Sequence, residues 1–228
     1  ARRLWSVPIV LIAVAAALVR TPETESDPPE SAAVQRSPAE SLPRWTDRHV
    51  WRYGALLAGS VVAFYVINSY VGAILQGRGE TEALAGLLFA YNATPLLASL
   101  AVLAVPRWIG RQGPIAASAM LSIAGLAGFA FLSGWASWTA ALLTGFAASV
   151  ELILLVSLPA VIAKGHAVTR LSAGMTLVGY GIAFVLPLIG GWLAKRLDWL
   201  EFTLIPSLIF MAAVLLAAGK ERRSPQYE

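Results

Sequence analysis

TAALLTGFAASVELILLVSLPAVIA, residues 139–163, decides the reading of this chain. It runs for 25 residues, enough for a helix to cross the hydrocarbon of a bilayer. Glu151 lies near its middle. No other charged residue of the sequence sits inside a long apolar run. An ionisable group at that depth is costly, and chains that keep one commonly use it on an ion or solute path.

Working outward, five more apolar runs surround this one after residue 50. They are 51–75, 84–105, 115–132, 171–194 and 202–218, each close to the ~20 residues a spanning helix needs. Backbone amides in lipid must pair within their own segment, so these runs are helices. The alternating ten-residue segments of a membrane barrel are absent from the sequence. An earlier run, 4–19, is either a spanning helix or the apolar centre of a signal peptide behind Arg2 and Arg3. Between it and the six lies 20–50, with Pro22, Pro28, Pro29, Pro38 and Pro43, a stretch unable to bury a core and expected to be a linker. Residues 44–52, RWTDRHVWR, are expected to form a short amphipathic surface segment with Trp45 and Trp51 at the headgroups.

Composition agrees. Of the 228 residues 57% are hydrophobic and 13% charged, about half the charge of a soluble domain, and mean hydropathy is +0.68. The net charge of +4 belongs to loop residues that orient a membrane protein, and is no sign of nucleic-acid binding. With no cysteine, thiol catalysis, disulfides and cysteine-ligated zinc are excluded. No metal site and no cofactor is expected. Numbering the loops alternately, twelve basic residues fall on one side and five on the other. The larger set comprises the linker, PRWIGRQGP, KGHAVTR and the tail 220–228, which places these segments and the C-terminus in the cytoplasm. Arg2 and Arg3 oppose this locally.

Three stretches carry a family resemblance. They are PRWIGRQGP (106–114), GYGIAFVLPLIGGWL (179–193), and the combination of FYVINSYVGAILQGRGETEALAGLLFAYN (64–92) with RLSAGMTLVGYGIAFVLPLIGGWL (170–193). The chain resembles the C-terminal half of a major facilitator superfamily permease, and is most similar to the cyanate/nitroimidazole branch. The loop lacks that family's usual Asp, and Leu186 replaces the glycine usually found before Pro187. The resemblance implies an all-α membrane fold. Residues 1–19 would be the last helix of an N-terminal half, 20–50 a cytoplasmic linker, 51–219 a six-helix C-terminal half, and 220–228 a cytoplasmic tail. It implies a secondary transporter of the inner membrane that moves a small, often anionic, solute by alternating access. Partners would be that solute, protons, the bilayer and the remaining half. Two inverted three-helix repeats would pair 51–75 with 139–163 and 84–105 with 171–194.

Candidate pathway residues follow from polarity within the spans. Glu151 is either a proton- or solute-contacting carboxyl or a neutral one that serves packing. A bare carboxylate repels an anion, so for such a cargo Glu151 is expected to be protonated or salt-bridged. Tyr65 and Asn68 are three apart and share a helix face, which the resemblance turns toward the cavity. The alternative is that Tyr65 packs and Tyr70 anchors at the interface. Tyr91 and Asn92 precede Pro95, which frees the carbonyl of Tyr91 and makes either a solute site or an ordinary kink. Tyr180 lies on the glycine-rich fifth run, whose glycines point to close helix packing. His49 and His166 fall in connectors, and no His or Asp lies inside a span, so an intramembrane hydrolase is not expected and the chain is read as a non-enzyme. A retinal protein would need a lysine within 202–218, where there is none. The competing reading is a structural or assembly membrane protein.

Overall fold

The computed structural model describes residues 45–221, with side chains to residue 218. Expectations for 1–19, for the linker up to residue 44 and for the tail beyond 221 lie outside the described residues. Within them the chain is all-α: α1 (Arg48–Gly77), α2 (Leu84–Ala104), α3 (Gln112–Phe131), α4 (Gly134–Ile162), α5 (His166–Leu197) and α6 (Ile205–Glu221).

Five of these helices are long and apolar enough to cross a membrane. The sixth keeps the 17 residues of the run 202–218 but is displaced three residues along the chain, because that run begins inside a 3₁₀ turn, Leu200–Thr203. The starts of α1, α3, α4 and α5 lie three to five residues before the expected runs. Asp47 caps α1 by accepting the His49 N–H at 2.8 Å, so the expected surface segment 44–52 is largely the first turns of α1 itself. The SGWAS turn shrinks to Leu132 and Ser133, and α4 starts at Gly134, in the positive-φ region at 57°.

The connector after α1 holds the far end of α3 and the start of α4. Arg78 donates to Ser137 Oγ (2.9 Å), to the carbonyls of Phe129 (3.1 Å) and Ala130 (3.0 Å), and to Glu201 Oε1. These carbonyls end α3, where no further turn supplies donors. Glu80 accepts the Gly134 N–H (2.9 Å) and the Trp138 indole N–H (2.8 Å), capping α4 from a neighbouring loop.

α1 and α4 form the central pair, joined where Ser60 Oγ donates to the Ala148 carbonyl at 2.8 Å. α1 packs most extensively on α5, and α4 on α3 and then on α2. α6 rests on α1, α3 and α5. Exchanging the first three helices for the last three maps the α1–α5 contact onto α4–α2, and α4–α3 onto α1–α6. All four contacts are present. Small residues permit the close approaches. A Cβ on Gly145 would stand 2.5 Å from Thr94 Oγ1 and 2.8 Å from the Tyr91 ring, so α2 meets α4 where there is no side chain.

Candidate functional site

Two cavities meet on one face of the bundle. One, of about 470 Å³, lies between α1 and α5 and is lined by Tyr65, Ser69, Tyr70, Phe184 and Pro187 among others. The other, of about 350 Å³, lies among α1, α2, α4 and α5 and is lined by Ser60, Phe64, Pro95, Ser99, Ser149 and Leu152 among others. Val61, Tyr65 and Tyr180 belong to both. Tyr65 is 50% exposed and Tyr180 47%, values high for tyrosines in the middle of long apolar helices.

The chemistry of this groove is that of neutral hydrogen bonding on an aromatic wall. None of its lining residues is charged. Three lining serines spend their protons on backbone: Ser60 on Ala148, Ser99 on Pro95 (2.8 Å) and Ser149 on Gly145 (2.7 Å). Each leaves oxygen lone pairs as acceptors. The Tyr70 hydroxyl donates to the Pro187 carbonyl at 2.7 Å, in space left free because residue 191 is glycine. It is thus an interhelical strut, not the interfacial anchor considered from the sequence.

Asn68 and Asn92 are brought together. Asn92 Nδ2 donates to Asn68 Oδ1 (3.0 Å) and to the Leu88 carbonyl (2.9 Å), while Asn68 Nδ2 reaches the Phe64 carbonyl (3.3 Å). Asn92 is exposed and Asn68 partly so. The pair therefore braces α1 to α2 and presents amide groups at the surface.

Tyr91 does not face a groove. It is 1% exposed, its ring stacks on Phe64 at 5.0 Å, and its hydroxyl lies 3.2 Å from the Phe64 carbonyl and 3.3 Å from that of Ala63. The carbonyl that Pro95 frees is not open either: Thr94 Oγ1 donates to the Tyr91 oxygen at 2.7 Å. Pro95 sits inside a continuous helix with the carbonyl it releases already satisfied.

Glu151 is 1% exposed and lines neither cavity of the groove. It borders a void of about 10 Å³, walled by Leu56 and Gly59 of α1, Ala119 and Ile123 of α3, and Met211, Val214 and Leu215 of α6. No wall residue is charged. The space is at the lower limit for a single water, and Oε2 has no hydrogen-bond partner. Of the residues expected on a pathway, Tyr65 and Tyr180 thus share one groove and Asn68 and Asn92 pair with each other, while Tyr91 and Glu151 are packed inside. The Arg78–Glu80–Glu201 cluster was not anticipated, because charges beside glycines at a helix end read in sequence as a solvated loop.

No family model, curated protein or solved structure matches the chain. Its class rests on its own spans. It is a multi-pass membrane protein. Within that class, the groove at Tyr65 and Tyr180 of this membrane protein has room for a ligand and polar groups facing it.

Proposed function

We propose that this membrane protein is one half of a secondary permease, working by alternating access at the inner membrane, and that its solute path runs along the groove centred on Tyr65 and Tyr180. The observation that carries this reading is the convergence of two cavities on these half-exposed tyrosines. The exchange pattern of helix contacts adds support, since it is the pattern of two repeated three-helix units. So does the resemblance to major facilitator permeases in 64–92 and 170–193. Tyr65 and Tyr180 offer hydroxyls and ring faces, and the groove serines offer acceptors. No cation lines the groove, so an anionic cargo would draw its counter-charge from groups outside it. Glu151 makes no solute contact in this reading.

The chain has no native cysteine, so single-cysteine variants report access directly. Cysteines at Tyr65, Ser99 and Tyr180 should react in native membranes with a charged, membrane-impermeant methanethiosulfonate. A cysteine at Leu216, 74% exposed on α6, should react only with a lipid-soluble maleimide. If the three groove positions behave like Leu216, the face is lipid-covered and the permease reading fails.

A second reading, a structural or assembly membrane protein, is favoured by the placement of Glu151. That acid faces neighbouring helices across a void too small for a path. It is the reading that remains if the groove is closed to water.

A further inference from the structure

A larger space adjoins the small void at Glu151. A cavity of about 230 Å³ lies between α1, α3, α4 and α6, at the end of the bundle where α1 and α3 begin and α6 finishes. Gln112, the first residue of α3, lines it and is exposed. Leu56 and Leu215 wall both this cavity and the Glu151 void. The two spaces are stacked along the same four helices. α4 gives Leu158 to the cavity and Glu151, two turns deeper, to the void. α1 gives Tyr53 and then Gly59, and α3 gives Ile115 and then Ile123.

Glu151 is the one titratable residue lining the void. α1 turns Leu56 and Gly59 to it, and α3 and α6 bring aliphatic side chains and Met211. Tyr53 and Arg52 line the outer cavity, about a turn further out. Neither is turned to the carboxyl: the Arg52 guanidinium is engaged over the Tyr53 ring at 5.8 Å, and that ring stacks on His49. Glu151 Oε2 has no hydrogen-bond partner. A neutral carboxyl can sit in such a seam, whereas a carboxylate needs water or a counter-charge beside it.

We propose that Glu151 is a proton-binding site served through this cavity: the seam closes over the carboxyl with its proton on, and the proton leaves to water entering past Leu56 and Leu215. The carboxyl O–H bond breaks, its electron pair stays on Glu151, and the proton passes to water and out at the open end. Uptake is the reverse. The void and this cavity share no lining residue with the solute groove, and the site does not depend on the permease reading.

The test follows exchange of that proton for deuterium, by infrared spectroscopy of the full chain reconstituted in lipid. The Glu151 carboxylic C=O band is identified by its loss in Glu151→Gln, and it should shift in D₂O while the amides of α4 stay protected. Leu56→Ala, which widens the constriction, should speed the exchange roughly tenfold, and Ala116→Phe, which fills the cavity, should slow it by about the same factor. Loss of stability alone would speed exchange in both variants, so opposite signs identify the route. Ser99→Phe, in the solute groove, should leave the rate unchanged. Leu215→Ala takes the place of Leu56→Ala should the latter fail to fold. The proposal is overturned if no carboxylic band depends on Glu151 at any pH where the chain is folded, or if the band exchanges only when α4 unfolds. Changes of the same sign in the widening and filling variants, or slowing by Ser99→Phe, would overturn it too.

Discussion

Arg78 and Glu201 stand 3.2 Å apart, with 12% and 20% of their side chains exposed. Through this pair the loop after α1 is tied to the turn before α6; the same Nη2 reaches the end of α3 and Nη1 the start of α4. One guanidinium so joins four parts of the chain.

Arg78→Gln strands the Ala130 carbonyl and a largely buried carboxylate, and leaves the Phe129 carbonyl only the Ser137 hydroxyl as donor. Removing one partner of a buried pair is severe, and the expected loss is roughly 3 kcal/mol. Glu201→Gln keeps an oxygen acceptor for the guanidinium and should cost about 1 kcal/mol. Unfolding in detergent, followed by circular dichroism, checks the order. Equal losses would mean that the carbonyl contacts contribute little.

Gly145→Ala forces a methyl against Thr94 and Tyr91 at the α2–α4 crossing. Overpacking of that kind costs roughly 1–3 kcal/mol. Gly181→Ala is the matched control, since nothing lies within 4 Å of a Cβ there. The two variants should separate by several degrees in unfolding temperature. A shift of the same size in both would place the effect in glycine's backbone freedom and not in the crossing.

Glu151→Leu removes a buried oxygen that has no partner and fills an aliphatic seam. An apolar group of similar volume in such a place is neutral or stabilising, so unfolding should stay within about 1 kcal/mol of the parent or improve. Cysteine labelling at Tyr65 and Tyr180 should be unchanged. A loss of roughly 3 kcal/mol or more would reveal a polar contact of Glu151 that this packing does not provide.

Orientation has its own check. Cysteines at Gly110 or Lys164 should be reached by an impermeant reagent from the cytoplasmic side, and one at Ser133 from the opposite side, as the basic-residue asymmetry requires. The reverse pattern would invert the topology.

Much of the architecture was legible in the run lengths. The apolar run containing Glu151 gave α4, and hydropathy alone marked the other long helices, because in lipid an apolar run has no alternative to helix. Helix ends were less legible. The α4 start depends on Glu80, more than fifty residues earlier, and the displacement of α6 depends on a 3₁₀ turn docked on α5. The same limit governs the site. A lone acid in an apolar run announces its depth but not its azimuth, and Glu151 faces α1, α3 and α6 instead of the groove. Tyr65 and Asn68 could be placed on one helix face by spacing. That Tyr91 would turn inward while its neighbour Asn92 stays outside follows from the flat surface at Gly145, which is visible only once α2 and α4 are side by side.

The proline inside α2 has a mechanical corollary. Thr94 has already claimed the carbonyl the proline released, so the joint is closed and holds no spare valence for a passing molecule to exploit. Any rocking of α2 must then carry the helix as a single rod, pivoting on the bare patch at Gly145, with the Asn68–Asn92 link as its tether.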